Sequence, residues 1–181
     1  MFGEVRDLVL ADWRRLVDVN LWGVVHGVAA AYAAMARQGS GHIVNIASAA
    51  GLMGYPMMTP YVTTKFAVVG LSINLRAEGE ALGVKVSVVC PGLVDTPIHR
   101  SAPFVRADRE PYLARLPFRF VDVGEAARLI LRGVARNRAV IVFPLYARVC
   151  WWLYRLNPRL IAPLGRRAAC EFRAVRDPDG T

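Results

Sequence analysis

The sequence predicts an α/β protein that is built on a parallel β-sheet. Short β-branched runs alternate with longer helical segments along the 181 residues, which is the order expected when helices connect parallel strands. The runs are largely apolar, as in strands that are buried on both faces. A hydrophobic content of 55% fits one globular domain and excludes a disordered or fibrous chain.

The first predicted helix and strand lie near the beginning of the chain. Residues 12–38 are rich in alanine and form one long predicted helix, which the "GSG" of residues 39–41 closes. The β-branched run "HIVNIAS" at 42–48 predicts a buried strand. A loop, "AAGLMGYPMMTP", then covers residues 49–60.

The second helix and strand follow this loop. The helix is predicted from about Tyr61 to Leu82 and ends at Gly83. The run "VKVSVVCPG" at 84–92 predicts a second buried strand, which its Pro-Gly pair stops. Residues 93–121 are rich in Pro and Arg and predict a long loop with short helical pieces.

A third helix and strand complete the predicted sheet. The segment "DVGEAARLILRGVAR" at 122–136 predicts a helix with Asp122 as the N-cap. Glu125 lies three residues later, in a capping-box arrangement. The run "AVIVF" at 139–143 predicts the third strand, and a helical tail ending in the polar "RDPDGT" follows it.

The charge of the chain is concentrated in its second half. We expect an α/β domain over residues 1–145 and a basic tail rich in Trp and Arg over residues 146–181. Residues 1–96 hold seven Lys/Arg and seven Asp/Glu, so the formal net charge of +9 arises from residues 97–181. Because the arginines are dispersed and no nucleic-acid motif accompanies them, we expect no nucleic-acid partner.

The cysteines indicate a reduced environment. Cys90, Cys150 and Cys170 are far apart, with no CxxC pair and no nearby histidine array. We therefore expect structural thiols and no metal site. The expected location is the cytoplasm, with contact between the tail and a membrane as an alternative.

The stretch "YVTTK" places a tyrosine and a lysine on one helical face. Tyr61 and Lys65 are four residues apart, which is about one turn. For acid/base work near pH 7 the phenol pKa must fall by about 3, or roughly 4 kcal/mol. A neighbouring ammonium supplies about 1 kcal/mol in water and about 4 kcal/mol at an effective dielectric near 20. Lys65 can therefore lower the phenol pKa far enough only in a site from which water is excluded. The alternative is that Tyr61 and Lys65 are ordinary side chains on a solvated helix face.

Three further features surround this pair in the sequence. Ser48 ends the first strand, where the ends of parallel strands face a ligand crevice, so it orients a carbonyl oxygen or satisfies the loop backbone. Asn20 lies inside a helix, which is unfavourable without a kink or a buried hydrogen bond. The segment "PGLVDTP" at 91–97 has two interpretations. Its backbone contacts a flat ring or an amide of a ligand, or it is simply a turn that ends the strand.

In combination these segments resemble the short-chain dehydrogenase/reductase family. The matching pieces are "VNLWG", "GHIVNIASAAG", "YVTTK" and "PGLVDT", in the family's order and near its spacings, and the resemblance covers about residues 5–145. It implies the C-terminal portion of a doubly wound Rossmann-type sheet, with about three strands and flanking helices. It also implies NAD or NADP as cofactor, and interconversion of a secondary alcohol and a ketone or aldehyde.

The resemblance implies a role for each matching residue. Tyr61 is the expected catalytic acid/base, and Lys65 lowers its pKa while it holds the nicotinamide ribose. Ser48 orients the substrate, and Asn20 completes a proton relay through water. The expected cofactor contacts are Asn20, Tyr61, Lys65, Pro91, Gly92, Val94 and Thr96.

Part of the family's usual domain has no counterpart in the sequence. Members open with a strand, a TGxxxGxG turn and two further βα units, roughly 80–90 residues that carry the pyrophosphate site. "GVVHGVA" at 23–29 has suggestive glycines but lies within a predicted helix. We therefore expect a fragment with impaired cofactor binding, an unpaired apolar edge on strand 42–48, and exposure of Tyr61 and Lys65 to water.

The loops near the predicted site favour an apolar substrate. Their flexible sulfur and aromatic side chains suit a lipid, steroid or retinoid-like alcohol or ketone. Packing of the loops on their own protein explains them equally well. The expected substrate contacts are Ser48, Leu52, Met53, Tyr55, Met57 and Tyr61, with Met58, Ile98, Phe104 and Tyr112 nearby.

Two other classes of function remain open. In the family the helices corresponding to about 12–38 and 61–82 commonly form the dimer interface, so the chain could be an inactive interaction protein. An active protein is expected to be a homodimer or homotetramer through the same helices. In the third interpretation the tail, with its arginines, Trp151, Trp152 and Tyr154, lies on an anionic membrane or covers the domain or a partner subunit.

Overall fold

A computed structural model describes residues 1–115 and 118–176 of the chain. These residues form a parallel three-stranded sheet in the order β1-β2-β3. The strands are β1 (Gly41–Ile46), β2 (Val84–Pro91) and β3 (Val140–Phe143). The predicted α/β class and the three predicted strands are confirmed, with strand ends that differ by one or two residues.

Helices flank and connect the strands. In chain order they are α1 (Leu10–Val17), α2 (Gly23–Gln38), α3 (Thr59–Glu80), α4 (Ile98–Ser101), α5 (Arg109–Leu113), α6 (Val123–Ala135), α7 (Leu145–Leu156) and α8 (Ala162–Arg173). Asp122 caps α6 as predicted, because its Oδ1 accepts a hydrogen bond of 2.9 Å from the Glu125 N–H. The short helices α4 and α5 lie in the predicted long loop. Of the predicted polar end "RDPDGT", only Arg176 lies within the described residues.

The central strand explains the position of the helices. Val88 and Cys90 of β2 point to one face of the sheet, where they pack with Val68 of α3. Val89 points to the other face and packs with Ala126 of α6. Because side chains alternate along a strand, β2 is buried on both faces, and the sheet lies between two helical layers.

The first predicted helix is continuous but not uniform. Between α1 and α2 the residues Asp18–Trp22 form a π-helical segment. The run Leu10–Gln38 is long and apolar enough, by length and composition alone, to cross a membrane. Its inner face packs in a cluster with β1, where Val28 and Tyr32 lie near Ile43, as helices of an α/β domain do. We therefore draw no membrane topology from this run.

β1 lies at the end of the sheet. Within the described ranges it pairs with β2 alone, and the Ile46 side chain at its end is 49% exposed. A groove of about 400 Å³ lies between α2 and β1. The predicted unpaired edge is therefore confirmed for the described residues. Such an edge presents free backbone N–H and C=O groups.

An aromatic cluster joins the start of the chain to its end. Phe2 stacks on Phe104 with ring centroids 4.5 Å apart. Tyr112 lies edge-on to Phe2 at 5.7 Å and to Phe172 of α8 at 5.4 Å. The side chains of Phe2, Tyr112 and Phe172 are buried. Phe104 and Tyr112 of the predicted substrate loop therefore pack on their own protein.

Buried carboxylates strengthen the same junction. Glu4 pairs with Arg173 at 2.6 Å, and Asp7 pairs with Arg176 at 2.8 Å. Burial alone would raise the pKa of Glu4, but Arg173 and Arg6 outweigh it and lower that pKa. For Asp7 the hydrogen bond from Arg176 is the largest influence and holds the pKa below its ordinary value. The predicted division at residue 145 stays a prediction, and these contacts join its two parts.

Candidate active site

Ser48 lies where β1 and β2 end side by side. Its Oγ accepts a hydrogen bond of 3.2 Å from the Ala50 N–H and so caps the short 3-10 turn that follows. The hydroxyl is 3.5 Å from the carbonyl oxygen of Pro91, at the end of β2. Because parallel strands end at the same edge of a sheet, Ser48 and the Pro91 turn meet there. The serine both satisfies the loop backbone and faces the predicted site.

Tyr61 and Lys65 extend from the first turns of α3 toward this edge. The Lys65 Nζ donates a hydrogen bond of 3.2 Å to the carbonyl oxygen of Ile46. It also lies 5.6 Å from the centroid of the Tyr61 ring, within cation–π distance. The Ser48 hydroxyl lies close enough to the Tyr61 phenol to influence its pKa. Ser48, Tyr61 and Lys65 are thus brought together, as the sequence predicts.

The electrostatics of this group differ from the expectation. Burial is the largest influence on Tyr61 and raises its pKa, while the neighbouring Ser48 hydroxyl acts in the opposite direction. Burial also lowers the pKa of Lys65. The predicted exposure of both residues to water is only partial in this structure, because both side chains are half-buried. The predicted lowering of the phenol pKa by Lys65 is not found, since the ammonium lies over the ring and bonds to Ile46.

Asn20 lies in the π-helical segment between α1 and α2. Its Nδ2 donates a hydrogen bond of 3.3 Å to Thr64 Oγ1. Thr64 Oγ1 in turn donates to the carbonyl oxygen of Tyr61 at 2.7 Å. π-Helical turns inside α-helices are frequent at functional sites. The unfavourable helix-interior asparagine is thus compensated by a side-chain hydrogen bond to α3, and its link to Tyr61 passes through Thr64.

The turn after β2 is fixed by the end of β3 and by α7. The Gly92 N–H donates to the Phe143 carbonyl at 2.7 Å, and the Leu93 N–H donates to the Tyr146 hydroxyl at 2.8 Å. A side chain at position 92 would meet that hydroxyl, since an added Cβ would lie 2.5 Å from it. Val94 bridges to Val121. The predicted cofactor loop, with Thr96 beyond it, is therefore held in one position.

The predicted substrate residues occupy different surroundings. Leu52 is buried in the core cluster of β2 and α3, and Met57 packs against the aromatic cluster. Met53 and Tyr55 are partly exposed. Tyr55 lines a cavity of about 480 Å³ between the loop after β1 and helices α7 and α8. None of Asn20, Ser48, Tyr61 and Lys65 lines that cavity.

Sequence reasoning missed three residues that support the site. Thr64 is 1% exposed and connects Asn20 to α3, and its place inside "YVTTK" was the available signal. The sequence predicts Cys90 only as a structural thiol. It lies near Lys65 and the Ser48 backbone, and burial raises the pKa of its thiol to about 12. Tyr146, which holds the turn after β2, carried no signal in the sequence.

The fold and this arrangement of residues define the chain as a short-chain dehydrogenase. The family model described as short chain dehydrogenase matches residues 1–104, which include Asn20, Ser48, Tyr61, Lys65 and the turn after β2. The chain belongs to this family. The match ends before α6, so it does not cover β3 or the tail.

Relatives of this chain include two bacterial enzymes of known name. A 3-alpha-(or 20-beta)-hydroxysteroid dehydrogenase of Mycobacterium tuberculosis is 42% identical over 96 residues, which are 53% of this chain and 37% of the relative. The 3-oxoacyl-[acyl-carrier-protein] reductase FabG of Thermotoga maritima is 33% identical over 135 residues, 71% of this chain and 54% of the relative. The chain thus spans about a third to a half of the length of these relatives.

The fold is also similar to a solved structure with a bound nucleotide. A short-chain dehydrogenase/reductase of Burkholderia phymatum in complex with NAD superposes with a TM-score of 0.74 and is 28% identical. The match covers 88% of this chain and 63% of that protein. The α/β architecture of the described residues is therefore that of Rossmann-type enzymes in this family.

Proposed function

We propose that the chain provides the proton-transfer site of an NAD- or NADP-dependent oxidoreductase in the cytoplasm. The reaction is the interconversion of an apolar secondary alcohol and a ketone or aldehyde. Tyr61 exchanges the proton with the substrate oxygen, and Ser48 orients that oxygen. Lys65 binds the nicotinamide ribose, and Asn20 supports the first turns of α3 at the end of a proton relay.

One observation carries the proposal: three polar side chains converge where two parallel strands end. The Ser48 hydroxyl neighbours the Tyr61 phenol and influences its pKa, and Lys65 lies over the tyrosine ring. The phenol is protonated at neutral pH, and burial raises the pKa of Tyr61 further above its ordinary value. A neutral phenol beside a serine hydroxyl is suited to donate a proton to a carbonyl oxygen during reduction.

The residues present fit the nicotinamide end of the cofactor. An ammonium carries three N–H donors, and Lys65 uses one of them on Ile46 within the described structure. The turn at Gly92 is held by Tyr146 and Phe143, which fixes its backbone for contact with a flat ring. When bound, the cofactor supplies or accepts the hydride. No TGxxxGxG turn occurs in the 181 residues, and Gly23 and Gly27 lie in α2.

An apolar substrate is supported by the chain and by its relatives. Met53 and Tyr55 follow Ser48 in the sequence and are partly exposed. We therefore keep them as proposed contacts with the substrate. The similar hydroxysteroid dehydrogenase is named for a steroid alcohol, and the similar reductase for a 3-oxoacyl group. Both names describe oxygen groups on largely apolar molecules. We therefore propose this substrate class for the chain.

The two lysines of the chain provide a matched test of the proposal. We expect Lys65→Met to weaken NADH or NADPH binding about tenfold or more, because a hydrogen bond to a charged group is lost. Lys85→Met removes the same charge from an exposed position on β2 and should leave binding unchanged. Cofactor fluorescence titration measures both variants. Equal dissociation constants for the two variants would contradict the assigned role of Lys65.

A second candidate function is self-association without catalysis. The outer faces of α1, α2 and the π-helical segment expose Leu10, Val19 and Trp22, and α3 exposes Phe66 and Ile73. Exposed apolar side chains on adjacent helices form a surface suited to a second copy. This observation favours a homodimer or homotetramer, with or without activity.

Light scattering tests this second candidate. We expect Trp22→Glu to convert the oligomer to a monomer at micromolar concentration, because a buried, unpaired charge at an interface is costly. Leu156→Glu, at an exposed position of α7, is the control and should leave the mass unchanged. A monomeric wild-type protein, or loss of the oligomer in both variants, would argue against this surface.

A further inference from the structure

The outward face of α7 carries an exposed apolar stripe that extends toward α8. The side chains of the stripe are 46–70% exposed. Its members are Leu145, Val149, Trp152, Leu156, Leu160 and Leu164. At 100° per residue, the four members in α7 lie within an arc of about 60°. Ala147, on the opposite side of the helix, is fully buried against the domain.

This arrangement is more than scattered surface hydrophobicity. Single exposed leucines are ordinary, but a contiguous apolar surface marks an interaction site. Trp152 is 63% exposed at the centre of the stripe. Tryptophan is enriched at boundaries between apolar and aqueous phases, because its ring is amphipathic. The stripe therefore requires an occupant that accepts aliphatic chains and an indole together.

The charge around the stripe is mainly positive, with Glu171 of α8 paired to Arg167. Residues 145–170 contain five arginines and no Asp or Glu. Arg148 and Arg155 lie on one side of the stripe, about 60–80° from Leu145 around the helix axis. Arg159, Arg166 and Arg167 continue the basic surface toward α8. The occupant must therefore carry negative charge next to its apolar part.

We propose that this stripe inserts into the interfacial region of an anionic lipid bilayer. The aliphatic side chains and Trp152 occupy the boundary between headgroups and acyl chains, and the arginines contact lipid phosphates. An amphipathic helix with an apolar face, a basic flank and an aromatic residue has the features that produce such binding. The protein then lies on the membrane surface and does not cross it.

Charge also separates a bilayer from a second copy of the chain. A symmetric interface brings the same patch of both copies together, so the arginines of both copies would face one another with only Glu171, which already pairs with Arg167, as acidic partner. The run Leu10–Gln38 differs, since it contains three Arg and two Asp. The balanced α1–α2 surface suits a second copy, whereas the basic stripe of α7 suits anionic lipid.

Vesicle flotation of the full chain tests the proposal. The probes are phosphatidylcholine vesicles and vesicles of the same size in which about a third of the lipid is phosphatidylserine. We expect binding to the anionic vesicles that weakens at high salt. The double variant Trp152→Ala/Leu156→Ala should weaken this binding more than tenfold, because both exposed side chains lose their apolar contact with lipid. Arg148→Gln/Arg159→Gln should weaken it about tenfold, because two charges near the surface are lost.

Matched controls place comparable changes elsewhere. Val123→Ala/Leu131→Ala removes two exposed apolar side chains from α6, and Arg128→Gln/Arg132→Gln removes two exposed charges from α6. Both should bind vesicles as the wild type does. Absence of wild-type binding, or equal loss in the stripe variants and the controls, would overturn the proposal. So would a smaller mass of the stripe variant by light scattering without lipid, because the stripe would then hold a second copy.

Discussion

Tyr61→Phe is expected to lower the rate of carbonyl reduction by about 10²- to 10⁴-fold, which is the range for loss of a positioned general acid. The substitution removes only the hydroxyl, which neighbours Ser48, and the ring that lies beneath Lys65 remains. Cofactor binding should therefore change little. Steady-state turnover with an apolar ketone, together with cofactor titration, separates the two effects.

Tyr32→Phe is the matched control for this result. The Tyr32 hydroxyl is buried without a hydrogen-bond partner among the described residues, and it lies in the cluster between α2 and β1. Its removal should leave turnover unchanged and should not destabilise the fold. Equal turnover of the wild type and Tyr61→Phe would exclude Tyr61 as the proton donor.

The pH dependence of reduction provides a second readout. The pKa of Tyr61 is raised above its ordinary value by burial, so the phenol stays protonated up to at least about pH 10. We expect the Tyr61-dependent part of the reduction rate to stay level below that pH and to fall above it. An ionisation near pH 7 that disappears in Tyr61→Phe would show that Lys65 outweighs burial during turnover.

Arg176→Met is expected to lower the free energy of unfolding by about 3 kcal/mol at pH 7, the lower end of the range for breaking a buried ion pair. Asp7 is 6% exposed and Arg176 is 17% exposed, so the variant leaves a buried carboxylate with the distant Arg106, at 3.9 Å. Urea denaturation measures the loss. Arg167→Met breaks an exposed pair with Glu171 and should leave the free energy of unfolding nearly unchanged.

The effect of Arg176→Met should depend on pH in one direction. Asp7 has a lowered pKa in the folded protein, so its contribution is fully present above its unfolded pKa of about 4. It is lost as pH falls through the lower folded pKa. The difference between wild type and variant should therefore shrink below about pH 4. A difference that is the same at pH 7 and pH 3 would mean that the Asp7 charge is not its source.

Local patterns were sufficient to predict the elements of the fold. The apolar run of β2 predicts a strand buried on both faces, and Val88 and Val89 do pack into opposite clusters. Asp122 has the residue type and spacing of an N-cap, and it caps α6. These features depend on residues within a few positions of one another. A single sequence therefore contains the information for them.

The candidate site could be predicted only in part. Ser48, Tyr61 and Lys65 meet because they lie at a strand end and on one helical face, which spacing predicts. The direction in which the Tyr61 pKa is shifted could not be predicted. It depends on how far the phenol is buried and on which acceptor Lys65 reaches. The helix-interior Asn20 indicates a kink or a buried hydrogen bond, but its partner Thr64 is 44 positions away, so local sequence cannot identify it.

The junction between Glu4, Asp7 and α8 has a consequence for the order of folding. Its hydrogen bonds connect residues 169 positions apart, so they close nearly the longest loop that this chain can form. Loop closure becomes more costly in entropy as the loop lengthens, and contacts of high contact order form slowly. The unit of β1, α3 and β2 is far more local and should form earlier. Arg176→Met is therefore expected to accelerate unfolding and to leave the refolding rate nearly unchanged. In this order of events the contacts between the two ends of the chain form after the folding transition state.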